Sequence, residues 1–177
     1  MSARERMRVG QSFVERHNLW SDEQAAAADA VDKAIGEHKL DVVRFSFVDQ
    51  HGVLRGKTVM ASEAAALMRN GVTATTTLLA KDTSHRSVFP VFTAGGGFGR
   101  PEMEGGADFL MIADPATFRV LPWAGATGWL LCDIYFPNGK PVPFSTRNLY
   151  RDALARLAEA GFDYMAGLEV EFHLYKL

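Results

Sequence analysis

Apolar residues recur along this chain with two periods, near 3.6 and near 2, and each change of period marks a change of element. Small and apolar residues repeat at helical spacing over 21–36, with Ser21 placed as N-cap and Asp22 and Glu23 in the first turn, where carboxylates favour a helix. Val42, Val43, Phe45, Phe47 and Val48 then form a β-rich run, residues 49–52 supply a turn, and 53–60 resumes an extended pattern, which predicts a hairpin. Ser62 is placed to cap a short helix through residue 68, ended by Asn70 and Gly71. From 72 to 108 neither period is sustained, which predicts a long functional loop. Strands are predicted over 109–113, 118–121 and 129–136, followed by a turn at Pro137, Asn138 and Gly139. Ser145 caps a last helix in which Leu149, Ala153, Leu154, Leu157 and Ala158 recur at helical spacing, Gly161 closes it, and a terminal strand follows.

Mixed helices and strands in this order make an α+β chain. A length of 177 residues suits one domain, or a small domain with the start of a second. The composition shift at Pro141 and Pro143 marks the boundary, so the expected divisions are an extension over 1–20, a first domain over 21–140 and the beginning of another over 141–177. Hydrophobic residues at 47% and charged residues at 23% fit a globular protein and exclude a disordered one.

Charge narrows the partners. Lys and Arg total 19 against 21 for Asp and Glu, and a net charge of -2 leaves no broad field for nucleic acid or anionic lipid. Cys132 is the one cysteine, so neither an internal disulfide nor a cysteine metal cluster is available. The opening residues, with Arg4, Glu5, Arg6 and Arg8, hold no apolar stretch of signal-peptide length, and no run is long enough for a membrane helix. A cytoplasmic protein is expected.

The terminal strand carries the most chemistry. Leu168, Val170, Phe172 and Leu174 alternate with Glu169, Glu171, His173 and Tyr175, so period two sets both glutamates on one face. Their Cβ atoms would stand about 7 Å apart and repel by roughly 2 kcal/mol at an effective dielectric near 20. A hard divalent cation, Mg²⁺ or Mn²⁺, would offset that repulsion. A half-exposed strand with a solvated polar face is the competing reading, and the spacing alone favours it.

Three blocks in order change that balance. VRFSFVDQHGVLRGKTV at 43–59, with Asp49, Gly52, Arg55, Gly56 and Lys57, resembles the amino-terminal strand pair of the glutamine synthetase family. DFLMIADPATFRVLPWAGATGWLLCDIYFPNGKPVP at 108–143 resembles the passage from that family's amino-terminal domain into its catalytic domain, and GLEVEFHLYKL at the end resembles its metal-site strand. The resemblance implies a β-grasp-like amino-terminal domain followed by the first helix and strand of the catalytic domain. It implies Glu171 as ligand of the metal beside the glutamate substrate, and Glu169 as ligand of the metal beside the ATP phosphates. It also implies ATP, glutamate, and ammonium or a small amine or polyamine as substrates, in a homo-oligomer whose active sites lie between subunits.

Departures from the family pattern direct the rest. His173 falls where the family has an aromatic residue and is read as packing or as a solvated side chain. Where ammonia-using bacterial members carry Asp-Gly-Ser-Ser, this chain reads TATTTLLAKDTSH over 73–85, in which Asp82 is the nearest candidate for an amine-side carboxylate. A bulkier amine than ammonium is the expectation. Trp123, Trp129 and Tyr135 admit a stacking platform, but their setting among strand residues favours core packing, and ordinary surface exposure is expected of Arg55, Lys57, His85 and Arg86. Because the family's remaining ligands lie downstream of the terminal strand, the isolated chain is expected to be inactive. The alternative is a noncatalytic β-grasp module that associates with a partner.

Overall fold

The computed structural model describes residues 10–176. Arg4, Glu5, Arg6 and Arg8 lie outside them. Five strands form one sheet: β1 (Val42–Val48), β2 (Leu54–Met60), β3 (Val72–Thr75), β4 (Asp108–Val120) and β5 (Thr127–Tyr135). Among the described residues four helices accompany it: α1 (Phe13–His17), α2 (Asp22–Glu37), α3 (Ala61–Asn70) and α4 (Thr146–Glu159). The strand order is β2-β1-β5-β4-β3, with β1 and β5 parallel and every other neighbouring pair antiparallel. This α+β, β-grasp-like arrangement matches the fold class read from the sequence.

Pleating sorts the strand residues between two faces. Val43, Phe45 and Phe47 of β1, Leu130, Cys132 and Ile134 of β5, and Phe109, Met111 and Ala113 of β4 form a buried core with Ala28 and Val31 of α2 and Ala64 and Met68 of α3. Phe47 and Phe109 meet edge to face, 5.2 Å between ring centres, the arrangement aromatic quadrupoles favour. Burial raises the Cys132 thiol pKa well above its ordinary value, which leaves this side chain an inert part of the core.

Local signals account for most element ends. Ser21 caps α2 by accepting from the Gln24 amide while the Gln24 side chain accepts from the Ser21 amide, which satisfies two donors that no helical turn can reach. Gly71 ends α3 at φ 84°. Ser62, however, lies inside α3 and caps nothing: β2 runs straight into the helix, so Met60 occupies the N-cap without a side-chain bond.

Several expectations are corrected. The stretch 72–108 is not all loop, since Val72–Thr75 pairs with β4 and short 3-10 turns follow at Thr76–Ala80 and Pro101–Gly106. The two predicted strands at 109–113 and 118–121 are one strand whose register to β5 shifts between Asp114 and Arg119. Pro115, in that interval, has no N–H to donate and falls where the ladder is interrupted. Trp123 is not core: it is 80% exposed in the turn between β4 and β5. The predicted terminal strand finds no partner among the described residues, and 163–176 form no regular element. A strand exists only through hydrogen bonds to a neighbour, so alternation alone cannot build one.

Candidate functional site

The β1–β2 turn is built around a buried carboxylate. Asp49 is fully buried, and its Oδ1 accepts from the amides of His51 and Val53, each at 2.9 Å. Its Oδ2 accepts from Arg55 Nε at 2.6 Å. Burial pushes the Asp49 pKa up, but the Arg55 hydrogen bond, the two amides and the Arg55 charge outweigh it and hold the carboxyl below its ordinary value. Arg55 is therefore an internal partner, not the surface side chain expected.

That turn grips the loop after β3. Gln50 Nε2 donates to the Leu79 carbonyl at 2.9 Å, His51 Nε2 lies 2.9 Å from the Lys81 carbonyl, and Arg55 Nη1 lies 3.0 Å from His85 Nδ1. Asp82, the candidate amine-side carboxylate, organises the same loop by accepting from the Arg86 amide at 2.9 Å and the Ser84 hydroxyl at 2.8 Å. The Arg86 amide first, and then the Ser84 hydroxyl, lower the Asp82 pKa, so the group stays ionised near neutral pH. A carboxylate fixed on a loop that is itself tied to the sheet is a positioned acceptor for a cationic group.

A second cluster ties α4 to the opposite end of the sheet. Arg147 Nη2 donates to Asp114 Oδ2 and Arg151 Nη2 to Asp133 Oδ2, both at 2.7 Å, while Gln24 Nε2 reaches Asp114 Oδ1 at 3.1 Å. Burial raises the Asp114 pKa, and the hydrogen bonds from Arg147 and Gln24 more than reverse that. The sequence reading named Asp49, Arg55, Asp82 and His85 singly without joining them, and passed over the second cluster. The signal available for this one was the i, i+4 spacing of Arg147 and Arg151 behind the Ser145 cap, which sets two cations on one helix face.

Glu169 and Glu171 are exposed in the segment beyond α4, and the described residues place no further ligand with them. Among those residues, no group of three or more His, Cys, Asp or Glu is arranged to hold a metal ion. Carboxylate oxygens suit Mg²⁺ or Mn²⁺ in kind, but two side chains do not fill an octahedral shell. The structure does not bring Asp82, Glu169 and Glu171 into one cluster.

Comparison with known proteins gives the family. No family model matches the chain. It is 38% identical over 168 residues to a γ-glutamylanilide synthase of Acinetobacter sp., covering 93% of this chain and 34% of that protein. It is 34% identical over 143 residues to a glutamate–isopropylamine ligase of Pseudomonas sp., covering 79% of this chain and 29% of that one. A glutamine synthetase of Methanosarcina mazei is 30% identical over 148 residues, 82% of this chain and 29% of its own length. Among solved structures, ligand-free GmaS superposes with a TM-score of 0.54 at 30% identity, over 73% of this chain and 26% of that one. This chain thus spans about a third of the length of the curated relatives it matches, 34% of the first and 29% of the next two. On these likenesses, which extend along most of its length, the chain belongs to the glutamine synthetase family.

Proposed function

We propose that this chain carries the amino-terminal part of an ATP-dependent glutamate–amine ligase. The observation behind the reading is the 38% identity to a γ-glutamylanilide synthase over 168 residues. In the reaction, a γ-carboxylate oxygen of glutamate takes the terminal phosphoryl group of ATP and ADP leaves. The amine nitrogen then attacks the acyl carbon of γ-glutamyl phosphate; the C–N bond forms, the C–O bond to phosphate breaks, and the amine gives up a proton. A divalent cation, when bound, neutralises the phosphate oxygens in such a transfer. Glu171 would hold the cation on the glutamate side and Glu169 the one on the phosphate side, with the remaining ligands supplied from outside the described residues. Asp82, ionised and fixed by the Arg86 amide, is the amine-side carboxylate of this reading. An organic amine is the favoured acceptor, because no Asp-Gly-Ser-Ser occurs over 73–85 and two of the relatives are named for anilide and isopropylamine. A cytoplasmic homo-oligomer is the setting that goes with it.

The test uses the protein translated from the complete open reading frame, given glutamate, ATP and Mg²⁺ with ammonium, isopropylamine, aniline or ethanolamine in separate reactions. The expected product is a γ-glutamyl amide, one phosphate released per amide, formed faster with an organic amine than with ammonium and lost in Glu171→Gln. No ATP-dependent amide with any of the four would overturn the reading.

A further inference from the structure

The outer face of the sheet is divided. Toward β4 and the end of β5 it is covered, by Phe13 and Val14 of α1 packed on Ile112 and by Arg147 and Arg151 on Asp114 and Asp133. Toward β2, β1 and the start of β5 it is bare.

On the bare half, the strand register sets Arg44 of β1 directly beside Trp129 of β5, and Trp129 directly beside Arg119 of β4. Residues opposed in this way project from the same face, so arginine, tryptophan and arginine form one row across three strands. Strand spacing places the two arginine backbones roughly 10 Å apart, on either side of the indole. The indole is held in place, since Trp129 Nε1 donates to Ser46 Oγ at 3.1 Å. Two adjoining cavities, of about 510 and 320 Å³, open along the row and share Arg44, Leu54 and Trp129. Gly56 lies across from Ser46, where any Cβ would collide with the Phe45 carbonyl oxygen, so this part of the floor stays free of side chains.

The charges of this row are unanswered. No carboxylate lines either cavity. Among the described residues every ion pair involves Arg55, Arg69, Arg86, Arg147 or Arg151, and none involves Arg44 or Arg119. Both arginines are exposed, and Trp123, 80% exposed, stands at the rim with Leu121 and Pro122. A protein of net charge -2 here presents two guanidinium groups without a carboxylate partner, Arg119 Nη1 donating to the Phe118 carbonyl at 2.6 Å, on either side of an apolar surface.

A guanidinium group presents a planar fork of donors that fits carboxylate or phosphate oxygens, and an indole face favours a flat or apolar body. The size of the larger cavity falls within the range of small-molecule sites. We propose that the row of Arg44, Trp129 and Arg119 binds a small organic anion, its carboxylate or phosphate oxygens on the two arginines and its apolar body on Trp129 and Leu54. Such a site is independent of the ligase reading and would survive its failure.

The ¹⁵N-labelled 177-residue protein, titrated separately with terephthalate, ADP and inorganic phosphate, tests it by nuclear magnetic resonance. Terephthalate or ADP should shift the indole N–H of Trp129 and the guanidinium N–H signals of Arg44 and Arg119, saturating below about 10 mM. Arg44→Gln should weaken that binding roughly tenfold and the double variant with Arg119→Gln should abolish it, with the melting temperature unchanged because both side chains are exposed. A response to terephthalate alone marks the ligand as a carboxylate, and a response to ADP alone marks it as a phosphate. Equal binding of inorganic phosphate would overturn the apolar half of the site. Absence of shifts at these three residues with every probe, or shifts that persist in the double variant, would overturn the whole.

Discussion

Helices α2 and α4 are capped alike and end differently. Each begins behind a serine whose hydroxyl accepts from the amide three residues on, Ser21 from Gln24 and Ser145 from Asn148. α2 buries Ala28 and Val31 against the sheet, whereas α4, of similar length and with apolar residues at the same spacing, buries none. Leu149 and Tyr150 stay more than half exposed, as do Phe162, Tyr164 and Phe172 beyond the helix. Amphipathic spacing thus specifies which face seeks a partner, and the partner, where one is present, supplies the energy. Exposed apolar groups contribute little to folding until something covers them.

Truncating the core should widen this contrast most. Phe45 is fully buried among the sheet and helix residues, so Phe45→Ala should lower unfolding free energy by about 3 to 5 kcal/mol in urea melts followed by tryptophan fluorescence. Leu149→Ala, on the bare face of α4, should change it by less than about 0.5 kcal/mol. Equal losses at the two positions would mean that α4 is covered in solution.

The next largest effect should lie at the hairpin turn, where removing the Arg55 cation strands a buried carboxylate. Arg55→Met should destabilise the sheet by about 3 kcal/mol. The sign with pH follows from the lowered Asp49 pKa: the stabilisation is present above the unfolded carboxyl value, near 3.9, and is lost as pH falls through the lower folded value. In Arg55→Met the Asp49 carboxyl loses what holds its folded value down, so the acid-dependent loss across this window should be smaller than in the parent protein. Identical acid transitions in the two proteins would remove Arg55 from the account.

What was legible in the sequence was local. The Ser21 cap, the turn before Val53 and the period of α4 each depend on residues within a few positions of one another, and all three stand in the structure. The strand Val72–Thr75 was not legible, because its four residues take their order from pairing with β4, more than thirty positions away. Nor was α1 legible, a five-residue helix too short to show a period, whose Phe13 and Val14 are fixed by packing on Ile112. The same limit applied to chemistry. Asp82 was visible as a carboxylate in an unusual loop, but its anchoring through the Asp49 turn joins segments about thirty residues apart, and no spacing rule connects them. Alternation at Glu169 and Glu171 marked a shared face without supplying the neighbouring strand that would make it one.

The smallest effects should come at the joint between the two regions, where exposure decides how much each ion pair is worth. The Asp114 side chain retains 12% of its accessibility and that of Arg147 25%, so Arg147→Met leaves a mostly buried carboxylate without its main partner and should cost about 2 kcal/mol. Arg151, at 51%, keeps its charge largely in water, and Asp133, at 8%, keeps Arg147 Nε at 3.8 Å, so Arg151→Met should cost less than about 1 kcal/mol although its contact with Asp133 has the same 2.7 Å length. Equal distances with unequal effects would show that a second cation beside the surviving carboxylate, which Asp133 has in Arg147 and Asp114 lacks, and not the length of the hydrogen bond, sets the strength of the joint. Amide hydrogen exchange sharpens the point, because losing Arg147 should speed exchange in α4 well before exchange in β1, whose amides open only with the core. Equal acceleration in both elements would mean that α4 and the sheet unfold as one unit, and the difference between the two serine-capped helices would then lie in exposure alone.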